Sequence, residues 1–113
     1  MKLKKKWPNP DAGTHDAVIY SVQEITIPDQ MRTRIEVTFR VGEGSDMREI
    51  EKTYKHRLDE DSPFGEFLSA LDVDLQVMDD GDEFDTDTLI GRTVKLTVAP
   101  MPKGVYVASV SSL

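Results

Sequence analysis

Ser62-Pro63-Phe64-Gly65-Glu66-Phe67-Leu68-Ser69-Ala70-Leu71 is the stretch that decides how this chain reads, because here the apolar period changes from two residues to about 3.6. Phe64, Phe67, Leu68 and Leu71 fall at i, i+3, i+4 and i+7, one stripe on a helix. Ser62 supplies an N-cap oxygen and Pro63 suits the first helical position, where its missing N–H is not needed. The pattern predicts one short amphipathic helix over residues 62–72. On both sides of it the period is that of strands. Upstream, Thr14 to Thr26 is rich in β-branched and aromatic residues, and Ile27-Pro28-Asp29-Gln30 supplies a turn. Arg32 to Val41 then alternates strictly, Ile35, Val37, Phe39 and Val41 against Arg34, Glu36, Thr38 and Arg40. After the turn cluster Gly42 to Asp46, Met47 to Leu58 is extended again, with Ile50, Tyr54, His56 and Leu58 on one parity. Lys52 interrupts that face, which predicts a bulge or a partly exposed strand. Downstream, an acidic connection over Asp72 to Thr88 leads to Leu89-Ile90-Gly91, which re-enters the core. Thr93 to Ala99 forms a fourth strand, Pro100 to Gly104 a turn, and Val105 to Val110 a fifth strand.

The element order is therefore β-β-β-α-β-β. On a chain of 113 residues, one domain in size, that order fits an all-β fold with one helix: a five-stranded Greek-key barrel of the oligonucleotide/oligosaccharide-binding (OB) type. The helix would plug one open end, so one apolar stripe suffices. A small open β-roll or sandwich with one helix competes with it. Residues 1–13 read as a basic N-terminal arm, with Lys2, Lys4, Lys5 and Lys6 followed by two prolines, and residues 14–113 as the OB-fold domain. The start of the arm is expected to be mobile.

Composition bounds the function. Hydrophobic residues make up 38% and charged residues 31%, a globular mixture. With no cysteine there is no disulfide, thiolate metal site or cysteine nucleophile, and a reducing cytoplasm is the expected location. Neither a membrane span nor a secretory signal is read in the chain, so no membrane partner is expected. The formal charge of −7 argues at first against a polyanionic partner. Twelve of the 21 acids, however, lie between Arg57 and Arg92, where there is no Lys or Arg; the remaining nine acids face all 14 bases, a formal +5. The mean conceals a dipole.

Sequence-independent binding of a single strand needs cations along the phosphates and aromatic faces for the bases. Strands two and three form the usual ligand face of an OB barrel. The candidates are Arg32, Arg34 and Arg40 on strand two, Arg48, Lys52, Tyr54, Lys55, His56 and Arg57 around strand three, and Lys4, Lys5, Lys6 and Trp7 in the arm. Each has a plainer role. Arg34 and Arg40 alternate with Glu36, and Lys52 and Lys55 neighbour Glu49 and Glu51, so cross-strand ion pairs would serve as well. Tyr54 shares parity with Ile50 and suits the core or its edge, while Trp7 could pack the arm against the barrel. Tyr20 and Tyr106 read as structural.

Asp79, Asp80, Asp82, Glu83, Asp85 and Asp87 form an acidic loop suited to a basic protein partner, or to repelling DNA from the wrong face. Its spacing fails the EF-hand pattern, because Gln76 and Met78 stand where aspartates belong before the glycine, and no metal or other cofactor is expected. Two histidines and no GxSxG, P-loop or HExxH argue against an enzyme, and no catalytic residue is assigned.

Gly13-Thr14-His15-Asp16-Ala17, the strand Ile35-Glu36-Val37-Thr38-Phe39-Arg40-Val41, the helix Ser62 to Leu71 and the stretch Leu89-Ile90-Gly91-Arg92-Thr93-Val94 together resemble short phage-encoded OB-fold proteins of the single-stranded-DNA-binding type. The resemblance covers most of residues 13–110 and rests mainly on fold signals. It implies a small protein of a phage or prophage replication or recombination module that coats or docks single-stranded DNA in the bacterial host cell. The chain departs from bacterial single-strand-binding proteins in ending Val110-Ser111-Ser112-Leu113 without an acidic tip. The alternative from the same fold is a protein-interaction module for replication or virion assembly that does not bind DNA. An acidic DNA mimic is disfavoured because the acids cluster in one loop. A homo-oligomer is compatible with either.

Overall fold

In a computed structural model, which describes residues 1–3 and 5–113, the helical stripe forms α1, Pro63–Ala70. Ser62 is buried, and its Oγ accepts the N–H of Gly65 at 3.0 Å while the hydroxyl lies 2.8 Å from the Asp59 carbonyl it can donate to. Gly65 explains an otherwise poor helix former in the first turn. A Cβ at this position would overlap the carbonyl oxygen of Asp59, so the preceding loop closes onto the helix only over a glycine. The helix ends two residues short of 72 because Asp72 takes a left-handed conformation, φ 65°, and closes a C-terminal double bond: Asp72 N–H to Ser69 and Val73 N–H to Leu68. Arg92 Nη2 donates to the Leu71 carbonyl at 2.6 Å, placing a cation on the negative end of the helix.

Five strands surround this helix: β1 Gly13–Ile27, β2 Arg32–Val41, β3 Arg48–Lys55, β4 Thr93–Met101 and β5 Gly104–Ser112. They make one antiparallel sheet in the order β3-β2-β1-β4-β5. The expected element order is present. The sheet is not closed: among the described residues no ladder joins β3 to β5. Those two edges are instead linked by the Lys52 ammonium, which donates to the Val107 carbonyl at 3.3 Å, and α1 packs against both strands. No helix among the described residues is long and apolar enough to cross a membrane.

The alternating residues of β2 meet the helix stripe as their period requires. Phe39 is an edge-on neighbour of Phe67, ring centres 6.3 Å apart, and Ile19, Val37, Val94, Leu96 and Leu68 are fully buried around them. Leu89 is buried too, as expected of the stretch before β4. The one irregularity of β1 lies between Ile19 and Ser21, where the register to β2 slips by one residue. Ile19 turns its backbone to the loop before β4, bonding Arg92 O at 3.0 Å and Gly91 N at 2.8 Å. The extra residue is Tyr20.

Candidate nucleic-acid interface

The register of β2 against β3 sorts the basic residues between two faces, because residues directly opposite one another share a side. Arg34, Glu36, Thr38 and Arg40 stand opposite Lys55, Thr53, Glu51 and Glu49 on the outer face, and Arg32 shares their parity. Val41, Val37 and Ile35 stand opposite Arg48, Lys52 and Tyr54 on the core side. The expected interface therefore divides. Arg32, Arg34, Arg40 and Lys55 are brought together; Arg48, Lys52 and Tyr54 are not part of their face.

Tyr54 corrects the sequence reading most clearly. It is 4% exposed, with its ring 5.2 Å from Phe67 and 5.6 Å from Phe64, so no face is left for a base. Burial, which opposes a charged phenolate, pushes its phenol well up from the usual value. Lys52 reaches β5, as described above, and its ammonium also lies 5.4 Å from the Tyr54 ring. β3 pairs with β2 without a slip, so the break in its apolar face is this bridging lysine and not a bulge. Arg48 donates to the Met47 carbonyl at 2.9 Å.

On the outer face one row crosses three strands. The Arg40 guanidinium carbon lies 3.3 Å from the centre of the Tyr20 ring, and its Nε is 2.8 Å from Glu49 Oε2. Tyr20, which the sequence reading took as structural, is 49% exposed there, because the slip in β1 frees it from the ladder. Arg40 is engaged on both sides. Arg34 and Lys55 differ: they are direct cross-strand neighbours, both cationic, and among the described residues neither has a carboxylate partner; nor does Arg32. Ile25 and Ile27 of β1 stand opposite Arg34 and Arg32. Like charges directly opposite one another destabilise a sheet, and an anion between them removes the penalty.

The remaining candidates lie around this face. His56 is exposed, with its Nε2 3.4 Å from Glu24 Oε2, and Arg57 pairs with Asp59. Lys5 is exposed, and Lys4 lies outside the described residues. Lys6 is placed 3.1 Å from Glu51 Oε1; its hydrogen bond to that carboxylate and the carboxylate's charge hold its ammonium above the ordinary lysine value. Trp7 is half-buried between the start of β3 and Val105.

The acidic residues Asp79, Asp80, Asp82, Glu83, Asp85 and Asp87 are all exposed. Several bind their own backbone: Asp82 accepts from Asp79 N–H at 2.9 Å, and Asp85 from Asp87 N–H at 3.0 Å. With Asp59, Glu60, Asp61, Asp72 and Asp74, three of them line two adjoining open grooves. Among the described residues no group of three or more His, Asp or Glu is arranged to hold a metal ion. No protein-family model and no curated protein matches the chain.

Proposed function

We propose that this protein binds single-stranded nucleic acid on the outer face of β1, β2 and β3, as an OB-type barrel left partly open between β3 and β5. The strand order, the helix packed across the two edges and the resemblance to phage single-stranded-DNA-binding proteins support the fold reading. One observation carries the function. Arg34 and Lys55 oppose each other without a carboxylate, with Arg32 beside them and two isoleucines behind. Phosphates would take the place of the missing counter-charges, and the half-exposed Tyr20, flattened on Arg40, offers a stacking surface at the other end of the face. Arg32, Arg34, Lys55 and Lys5 would make about four phosphate contacts, so log K should fall with log salt at a slope of about −3. Titration of a labelled oligo-dT of about 30 nucleotides, followed by fluorescence anisotropy at about 50 and about 200 mM salt, tests this. Absence of binding at tens of micromolar protein in the low-salt sample would sink it.

A second reading draws on the carboxylate-lined grooves beside α1: a basic protein partner would dock there, with no DNA contact. Silence toward oligo-dT combined with binding of a lysine-rich peptide, lost on neutralising Asp79, Asp80 and Asp82, would favour it.

A further inference from the structure

The arm is seated on the sheet. Pro8 O accepts the N–H of Glu49 at 3.0 Å, Pro10 is buried, and Trp7 is half-buried beside Ile50 and Val105, so the arm runs along the free edge of β3. Its Lys6 side chain lands on the outer face at Glu51, which neighbours the other two carboxylates of that face, Glu36 and Glu49. Without the arm, this half of the face would set Glu36, Glu49 and Glu51 against Arg40 alone. That is a barrier to any polyanion leaving the Arg32, Arg34 and Lys55 cluster across β3.

We propose that the arm is a latch on the β3 edge that sets the charge of the ligand face: Lys6 stays on Glu51 and cancels it, so that a strand held at Arg34 and Lys55 can continue over β3 toward the arm. The inference rests on the nucleic-acid reading. It differs from the simpler idea that Lys6 leaves Glu51 to hold a phosphate, because under the latch the harm done by losing Lys6 is the exposed Glu51 charge.

The test is a cycle of Lys6→Ala, Glu51→Gln and the double variant. Each is titrated with the same oligo-dT, and the exchange rate of the Glu49 amide hydrogen is measured without ligand. Lys6→Ala should weaken binding about threefold, the scale of one exposed ion pair. The double variant should return to wild-type affinity. Glu49 exchange should quicken in Lys6→Ala, because Pro8 O no longer holds its N–H. Equal weakness of Lys6→Ala and the double variant would overturn the latch in favour of a direct phosphate contact. If no protein binds the strand, the functional reading fails and exchange alone judges the latch: faster Glu49 exchange in Lys6→Ala supports a docked arm, and an unchanged rate refutes it.

Discussion

Replacing Arg34 with glutamine should raise stability and lower nucleic-acid affinity at once, because the two effects have one origin. Arg34 and Lys55 are a direct cross-strand pair, and no carboxylate among the described residues answers either charge. Like charges so placed oppose folding by about 0.2 to 1 kcal/mol. Glutamine keeps length and hydrogen-bonding capacity and removes the charge. At about 10 mM salt, where screening reaches only over tens of ångströms, the variant should therefore be more stable by about 0.5 kcal/mol; at about 1 M salt the gain should vanish. Loss of the arginine stem's packing is nearly independent of salt, so the difference between the two conditions isolates the charge effect. In urea unfolding followed by circular dichroism, 0.5 kcal/mol moves the midpoint by about 0.2 to 0.5 M. In the oligo-dT titration the same variant should bind more weakly and lose about 0.7 from the salt slope. A stability difference that is the same at both salt concentrations would refute the reasoning, since it would mean that Arg34 is not repelled by its neighbour.

Other substitutions separate the structural residues from those on the ligand face. Gly65→Ala should destabilise the fold by about 2 kcal/mol, against the gain of about 1 kcal/mol that alanine brings to an open helix, because its Cβ meets the Asp59 carbonyl; thermal melts will show it. Tyr20→Ala should weaken oligo-dT binding by about 1 to 3 kcal/mol with the salt slope unchanged, whereas Tyr54→Phe should leave affinity as it is. Stability should fall as pH rises above about 10. There the unfolded chain loses the Tyr54 proton that the buried phenol keeps, and Lys6 loses the charge that binds it to Glu51 only at higher pH than in the unfolded chain. Urea unfolding at pH 9 and about 10.5 should show a smaller loss for Tyr54→Phe than for wild type, up to about 1.4 kcal/mol per pH unit for one group.

Elements whose signal is local were legible. Ser62, Pro63 and the Phe64, Phe67, Leu68, Leu71 stripe specify α1, and the alternation from Ile35 to Val41 specifies β2, because capping and periodicity act within a few residues. The end of α1 was less so: Asp72 in a left-handed conformation is stabilised by Ser112 Oγ, 2.9 Å from its carboxylate and forty positions away. The ligand face was only half legible. Parity placed Arg34 and Arg40 together, but which parity of β3 faces outward depends on pairing, and the pairing takes Lys52 and Tyr54 inward. Tyr20 could not be found by parity, since a single slip in register exposes it. The seat of the arm on Glu49 and Glu51 is likewise a contact across some forty residues with no local signal.

These particulars change what the net charge means. The acidic total of −7 is real, but a phosphate on the outer face responds to charges within about 8 to 10 Å at ordinary salt, and the molecule measures 43 × 35 × 30 Å. Within that reach the decisive quantities are pairings: Arg40 with Glu49, Lys6 with Glu51, and Arg34 facing Lys55 with nothing to answer it. The carboxylates around α1 act at longer range, where they slow the approach of any polyanion at low salt and matter less as salt rises. The two effects oppose each other in rate and equilibrium. If the outer face is the binding surface, neutralising Asp79, Asp80 and Asp82 should speed association at low salt and leave dissociation unchanged, whereas Arg34→Gln should act mainly on dissociation.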